Sequence, residues 1–195
     1  DTSCGGIQLK LAESLLFRTF WAIERTFQGN RSVIRSLAHG RVRQRFSLIL
    51  RYWSWRKVFN LLRVEIQLRL GRTRVWGHAF EWEIDTTNIC QLQCPLCHTG
   101  LGTVHRDKGV MHFDVYKKTI DQIKDHCICL SLYNWGEPFL NKNIDKYVAY
   151  AHAAKIPTIM SSNLNKPLTP KMAEDIIRSG LDVLIISLDG TTQDV

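Results

Sequence analysis

Three cysteines, Cys90, Cys94 and Cys97, fall within eight residues at the spacing C-x3-C-x2-C. A loop this short keeps their side chains within reach of one another, and soft thiolates so placed can converge on one metal centre. Three such ligands suit a cubane iron–sulfur cluster, which four thiolates normally hold, with one iron left an open position. They equally suit a structural zinc knuckle completed by His98 or a distant cysteine. Spacing alone does not choose between the two.

The 195 residues allow one ordinary domain and a lead-in, and the 45% hydrophobic content excludes a disordered chain. Six cysteines are too few and too unevenly spaced for a disulfide scaffold. No signal peptide is evident, so clustered thiols point to a reducing cytoplasm. The sequence opens on Asp1 and closes at Val195 just after a strand-like run, from which we expect a piece of a longer protein.

The net charge of +8 conceals two halves. Residues 1–80 carry 15 Lys and Arg against 4 Asp and Glu, a net of +11; residues 81–195 carry 11 against 14, a net of −3. The seam lies near Gly77 to Phe80, and we expect a basic helical region at 1–78 followed by a separate domain at 79–195.

Within the lead-in, Leu11, Leu15, Leu16, Phe20 and Ile23 recur at helical spacing, with stops at Gly29-Asn30 and Gly40. A second long helical pattern runs through Ile49, Trp53, Val58, Leu61, Leu62, Val64, Ile66 and Leu68 and ends at Gly71. No window of about 18 residues is free of charge, so neither is a transmembrane span. Arginines interleaved with aromatics fit peripheral contact with a membrane through residues 1–70, or helices packed on the next domain with a solvated arginine face. A nucleic-acid partner is disfavoured, because no recognisable motif accompanies the charge. Cys4 has no evident partner and receives no role.

From Phe80 the grammar changes. Phe80 to Asp85 alternates apolar and polar, a half-buried strand leading into the cysteine loop. Phe113, Tyr116, Ile120 and Ile123 mark a helix; Ile128 to Tyr133 is a second strand, ending at Asn134-Trp135-Gly136-Glu137-Pro138. Ile144, Tyr147, Val148 and Ala151 mark the next helix, and Thr158 to Met160 the third strand, ending at Ser161-Ser162-Asn163. Thr169-Pro170 and Gly180 bracket a further helix. Val183 to Leu188 is a nearly continuous apolar run suited to a strand covered on both faces. The order βαβαβαβ predicts an α/β fold with parallel strands and right-handed crossovers, and the site at the strands' C-terminal ends. Each such end carries polar chemistry, for which a zinc knuckle would have no use.

These residues resemble the radical S-adenosylmethionine (SAM) superfamily. The C-x3-C-x2-C loop after the first strand, Gly-Glu-Pro after the second and Ser-Leu-Asp-Gly after the fourth follow that family's order. The resemblance covers about residues 75–195 and extends weakly into Trp53 to Trp76, which looks like the lead-in of SPASM-type members. It implies a partial parallel (βα) barrel, with about four of the family's six or so units. It implies a [4Fe–4S] cluster on Cys90, Cys94 and Cys97, and SAM chelating the remaining iron. Gly136 and Glu137 would receive the SAM amino group; Ser162, Asn163, Ser187 and Asp189 would contact ribose and the methionyl carboxylate; Leu96 would lie beside the adenine. It further implies reductive cleavage of SAM to a 5′-deoxyadenosyl radical. The partners implied are an electron donor such as flavodoxin or ferredoxin, and a substrate that is a peptide, a protein or a small metabolite. Two local departures stand out: Leu96 where the family usually has an aromatic, and Trp135 where it usually has a first glycine.

Other residues are set aside. Cys127 and Cys129, at the start of the second strand and away from the rim, read as buried inert thiols. His98 reads as loop packing, His105, His112 and His126 as surface or packing residues, and Trp82 and Tyr133 as core. The rival to the enzyme is a zinc-stabilised binding module whose basic helices dock on a membrane.

Overall fold

The structure, a computed structural model, describes residues 47–103 and 105–188. The helical stripe from Leu11 to Ile23, its stops, Cys4 and Asp189 lie outside the described residues. The chain divides into two compact units, residues 1–51 and 52–195. In the first, residues 47–51 are helical.

In the second, the alternation of helix and strand appears as expected. A first helix, α1 (Trp55–Arg69), is followed by β1 (Glu81–Glu83), α2 (Phe113–Ile123), β2 (Cys129–Ser131), α3 (Ile144–Ala153), β3 (Thr158–Ser162), α4 (Pro170–Arg178) and β4 (Val183–Ile186). The strands form one sheet in the order β1-β2-β3-β4, every pair parallel, with Glu81 opposite Cys129, Leu130 opposite Thr158 and Ile159 opposite Val183. All four strands therefore end on one rim.

The helices bury the faces their periodicity marks. Tyr116, Ile120 and Ile123 of α2 and Ile144, Tyr147, Val148 and Ala151 of α3 meet Leu130, Leu132 and Met160 in one core. Tyr116 is fully buried and donates from its hydroxyl to the Tyr147 carbonyl at 3.0 Å, so its polar tip is satisfied inside that core. Helix α4 starts where Thr169 accepts from the Met172 amide at 3.2 Å, with Pro170 in the first turn. It stops at Gly180, whose φ of +85° an L side chain rarely adopts.

Two expectations fail. The long pattern from Ile49 to Leu68 is not one helix: it breaks at residues 52–54, where Ser54 is extended (φ −152°, ψ 141°) and α1 starts afresh. Serine is a favoured residue for such a start, and apolar spacing does not register it. Strand β4 is not covered on both faces, since Ile185 is 42% and Ile186 49% exposed. It is the last strand of the sheet, and among the described residues it pairs with β3 alone.

Helix α1 lies across the strands' starting ends and turns polar residues toward them. Asn60 accepts from the His78 amide at 2.7 Å and donates to the His78 carbonyl at 3.0 Å, just before β1. Arg56 reaches Asp125 before β2, and the buried Lys57 ammonium donates to the Lys155 carbonyl at 2.6 Å before β3. Tyr52, ahead of the helix, donates to Asp182 before β4 at 2.8 Å. Burial lowers the pKa of Lys57.

Candidate active site

Beyond β1 the chain is pinned before it reaches the cysteines. Thr87 Oγ1 donates to the Gly109 carbonyl at 2.9 Å and accepts from the Ile89 amide at 3.2 Å. Asn88 accepts from the Gly109 amide at 2.7 Å and donates to the Asp107 carbonyl at 2.8 Å. The cysteine loop thus leaves the sheet from a fixed base. Within it, the Cys97 amide donates to the Cys94 carbonyl at 3.1 Å, closing a turn between the second and third thiols. Gly100 lies against that turn so closely that a Cβ would stand 2.6 Å from the Cys94 nitrogen.

All three thiols are free; Cys94 is exposed, Cys90 and Cys97 half-buried. Among the described residues no group of three or more His, Cys, Asp or Glu side chains stands in an arrangement that holds a metal ion. The loop carries the three cysteines on one short stretch at the exit of β1. By the chemistry of its donors the set fits an iron–sulfur cluster: three thiols, none in a disulfide, on one loop at a rim.

At the exit of β2 the buried Glu137 ties the neighbouring exit down. Its Oε1 accepts from the Ser162 hydroxyl at 2.7 Å and the Phe139 amide at 3.2 Å, and its Oε2 from the Asn163 amide at 3.0 Å. Its own amide donates to the Ile89 carbonyl at 2.8 Å, so Glu137 holds the exits of β1, β2 and β3 together. A carboxylate has about four lone-pair sites, and three are used here. Ser162 is equally committed, since its hydroxyl also accepts from the Leu164 amide at 3.0 Å. Asn163 turns its side chain to the cysteine loop, accepting from Gln91 Nε2 at 2.9 Å, with its Nδ2 3.8 Å from the Cys90 sulfur. The Ser187 amide donates to the Ser162 carbonyl at 2.9 Å, and its hydroxyl lies 3.3 Å from that of Ser161.

Gly136 is packed on the backbone of Thr87; a Cβ there would lie 1.8 Å from the Thr87 carbonyl oxygen. The Trp135 amide donates to Asp85 at 3.1 Å, and its ring meets that of His98 edge-on, centroids 5.3 Å apart. His98 is also within 3.1 Å of the Thr103 hydroxyl, a loop-packing role. Leu96 is 95% exposed, an apolar side chain held in solvent at the rim. Cys90, Glu137, Ser162 and Asn163 are brought into one bonded group; Leu96 stands outside it.

Sequence reasoning missed Asp85, Gln91 and the Trp135–His98 contact. Asp85 carried a signal, being an acid at the end of the first strand; Gln91 carried none beyond its place beside Cys90. Cys127 and Cys129 are buried away from the site. The Cys127 thiol donates to the Cys129 carbonyl at 3.3 Å, and burial pushes its pKa up to about 12. His126 stacks on His78, centroids 4.6 Å apart, below the sheet, and burial lowers its pKa.

A parallel βα sheet with three clustered cysteines at its first exit and an acid at its second defines a class, and the sequence model of the Radical SAM superfamily matches residues 84–195. The chain belongs to that superfamily. It is 30% identical over 114 residues to the GTP 3′,8-cyclase of Clostridium acetobutylicum, an alignment covering 57% of this chain and 35% of that protein. The chain therefore spans about a third of the length of this curated relative. Its fold is similar to that of BtrN in complex with AdoMet and 2-DOIA, with a TM-score of 0.51 and 21% identity over 59% of this chain and 48% of BtrN. Streptococcus suis SuiB bound to S-adenosylmethionine aligns with a TM-score of 0.46 and 19% identity over 55% of this chain and 24% of SuiB. Among the described residues no helix is long and apolar enough to cross a membrane.

Proposed function

We propose that this chain is the cofactor-binding part of a radical SAM enzyme, with Cys90, Cys94 and Cys97 as ligands of a [4Fe–4S] cluster and SAM seated against the exits of β2 and β3. The observation that carries this reading is the bonded group at the rim. Asn163 links the first cysteine to Glu137, so the exits of β1, β2 and β3 act as one unit. A zinc knuckle needs no such coupling.

The residues divide the work. Asn163 directs an N–H at the Cys90 sulfur and so ties the first cysteine to the exit of β3. Glu137 keeps one acceptor site on Oε2 for the SAM ammonium, and Gly136 lets the chain run close enough to Thr87 to set that approach. By the family resemblance Ser187 and Asp189 would contact the ribose and methionyl carboxylate, and Leu96 would offer the adenine an apolar edge. A cluster held by Cys90, Cys94 and Cys97 would supply one electron for reductive cleavage of SAM, the source of a 5′-deoxyadenosyl radical for hydrogen abstraction from a substrate. The electron comes from a small redox protein such as flavodoxin or ferredoxin, and the substrate is a peptide, a protein or a small metabolite. A reducing cytoplasm is the compartment that keeps three such thiols free.

Anaerobic reconstitution with iron and sulfide, reduction with dithionite, and assay for 5′-deoxyadenosine from added SAM test this. Deoxyadenosine that disappears in Cys94→Ala supports the proposal. Zinc bound at the loop with no iron–sulfur absorbance overturns it.

A further inference from the structure

Helix α1 is inverted for a helix of a globular domain. Its buried residues are Lys57, Asn60 and Gln67, while Trp55, Phe59, Leu62 and Ile66 point outward, Trp55 being 66% and Phe59 60% exposed. These four lie at i, i+4, i+7 and i+11, a single stripe about 16 Å long at 1.5 Å per residue. At 100° per residue Arg56 and Arg63 flank one side of the stripe and Arg69 the other, and no charged residue interrupts it. Aromatics gather at both ends. Trp53 packs edge-on against Trp55 with centroids 4.7 Å apart, and at the far end the Arg72 guanidinium lies 5.3 Å from the exposed Trp76 ring.

We propose that this outward face of α1, with Trp53 and Trp76, docks on an anionic lipid bilayer, the helix lying in the interfacial plane. This goes beyond the SAM chemistry and does not depend on it. Charge selects the occupant. Of the six Lys and Arg in residues 52–80, Lys57 is buried, Arg56 pairs with Asp125 and Arg69 with Glu65, which leaves the exposed Arg63, Arg72 and Arg74 as the cations of this end, whereas residues 81–195 are net −3, so an anionic surface attracts this end and repels the rest. A second copy of the chain would press two strongly basic faces together, and nucleic acid would leave the apolar stripe in water. A stripe of large apolar side chains edged by arginines and tryptophans matches the boundary between headgroups and acyl chains. Orientation follows from the fold: α1 crosses the strands' starting ends, so docking leaves the rim with Cys90 and Glu137 facing away from the bilayer.

The test is co-sedimentation of the full chain with vesicles of phosphatidylcholine alone and of equimolar phosphatidylcholine and phosphatidylserine. Binding to the anionic vesicles only, weakened by salt, is expected. The double variant Phe59→Ser/Leu62→Ser should lower the bound fraction about tenfold, as should Arg63→Glu/Arg74→Glu, with far-UV circular dichroism unchanged because these side chains are exposed. Phe59→Trp should bind as the parent does. Three results would each overturn the proposal: no preference for phosphatidylserine, parental binding by Phe59→Ser/Leu62→Ser, or a dimer that this variant dissociates while vesicle binding persists.

Discussion

Replacing Glu137 with glutamine isolates the carboxylate that joins three strand exits. The substitution keeps shape and volume but turns one oxygen into an NH2 group. Placed at the Oε2 position, that group faces the Asn163 amide, donor against donor, and the 3.0 Å hydrogen bond there is lost. Placed at Oε1 it faces two donors, Phe139 N–H and the Ser162 hydroxyl, and Ser162 has its acceptor side engaged by Leu164. The first placement is therefore the better one. It loses a charge-assisted bond worth about 2 kcal/mol and weakens two others from charged to neutral strength, about 1 kcal/mol each. The sum is about 4 kcal/mol, and in a chain of this size each kcal/mol moves the melting temperature by roughly 2–4 °C. Urea unfolding of the metal-free chain, followed by tryptophan fluorescence and circular dichroism, reads this with no cofactor present. A loss below about 0.5 kcal/mol would place Glu137 outside the folded framework and refute the reasoning.

Gly136→Ala would set a methyl carbon 1.8 Å from the Thr87 carbonyl oxygen, a backbone clash, and should cost more than about 3 kcal/mol or abolish soluble expression, read by thermal denaturation. Thr169→Ala removes the oxygen that accepts from the Met172 amide and should cost about 1 kcal/mol, with Thr169→Ser restoring most of it in the same melt. Cys127 ionises near 9.0 when unfolded but only at about 12 when folded, so above pH 9 the unfolded chain sheds a proton that the native one keeps. Its contribution to stability is therefore complete below pH 9 and lost as pH rises toward 12. Lys57, whose pKa is lowered, acts in the opposite sense, so the comparison is with Cys127→Ala: from pH 9 to 10 the parent should lose about 1 kcal/mol more than the variant.

Where the sequence was legible, one rule of periodicity acted alone. Tyr116, Ile120 and Ile123 share one side of a helix at that spacing, and they are buried together. Thr169, Pro170 and Gly180 act through the backbone next to them, so α4 could be bounded without tertiary knowledge. The parallel order placed Cys90, Glu137 and Asn163 on one rim, because strand ends gather whatever their lengths. What bonds to what on that rim was not legible: the pairing of Glu137 with Ser162 and Asn163 depends on the register of β2 against β3, which no local pattern encodes. The face of α1 was illegible for a different reason. Reading a stripe assumes that apolar means inward, whereas this helix lies over two chain segments, residues 76–78 and Lys155, whose backbone groups need partners, and those are met by Asn60, Gln67 and Lys57. The apolar run of β4 carried no signal of whether a neighbour lies beyond it.

The two ends of the sheet solve the same physical problem, and this changes how functional variants should be read. A parallel sheet leaves backbone donors and acceptors unpaired where its strands begin and end, and buried ones are costly. At the start Asn60, Lys57 and Gln67 meet that need; at the rim Thr87, Glu137 and Ser162 do. Glu137 and Ser162 are therefore framework and candidate ligand contacts at once, and losing either perturbs the rim before any cofactor binds. Cys94 is different. It is exposed, and its sulfur takes part in no hydrogen bond among the described residues. Cys94→Ala should leave the urea midpoint of the metal-free chain within the error of the parent, a change below about 0.5 kcal/mol. A loss of deoxyadenosine production in that variant then speaks for chemistry at the thiol, whereas the same loss in Glu137→Gln mixes chemistry with a loosened rim. A destabilised Cys94→Ala would mean that the turn closed by the Cys97 amide depends on the side chain beside it, and the cysteine control would lose its meaning.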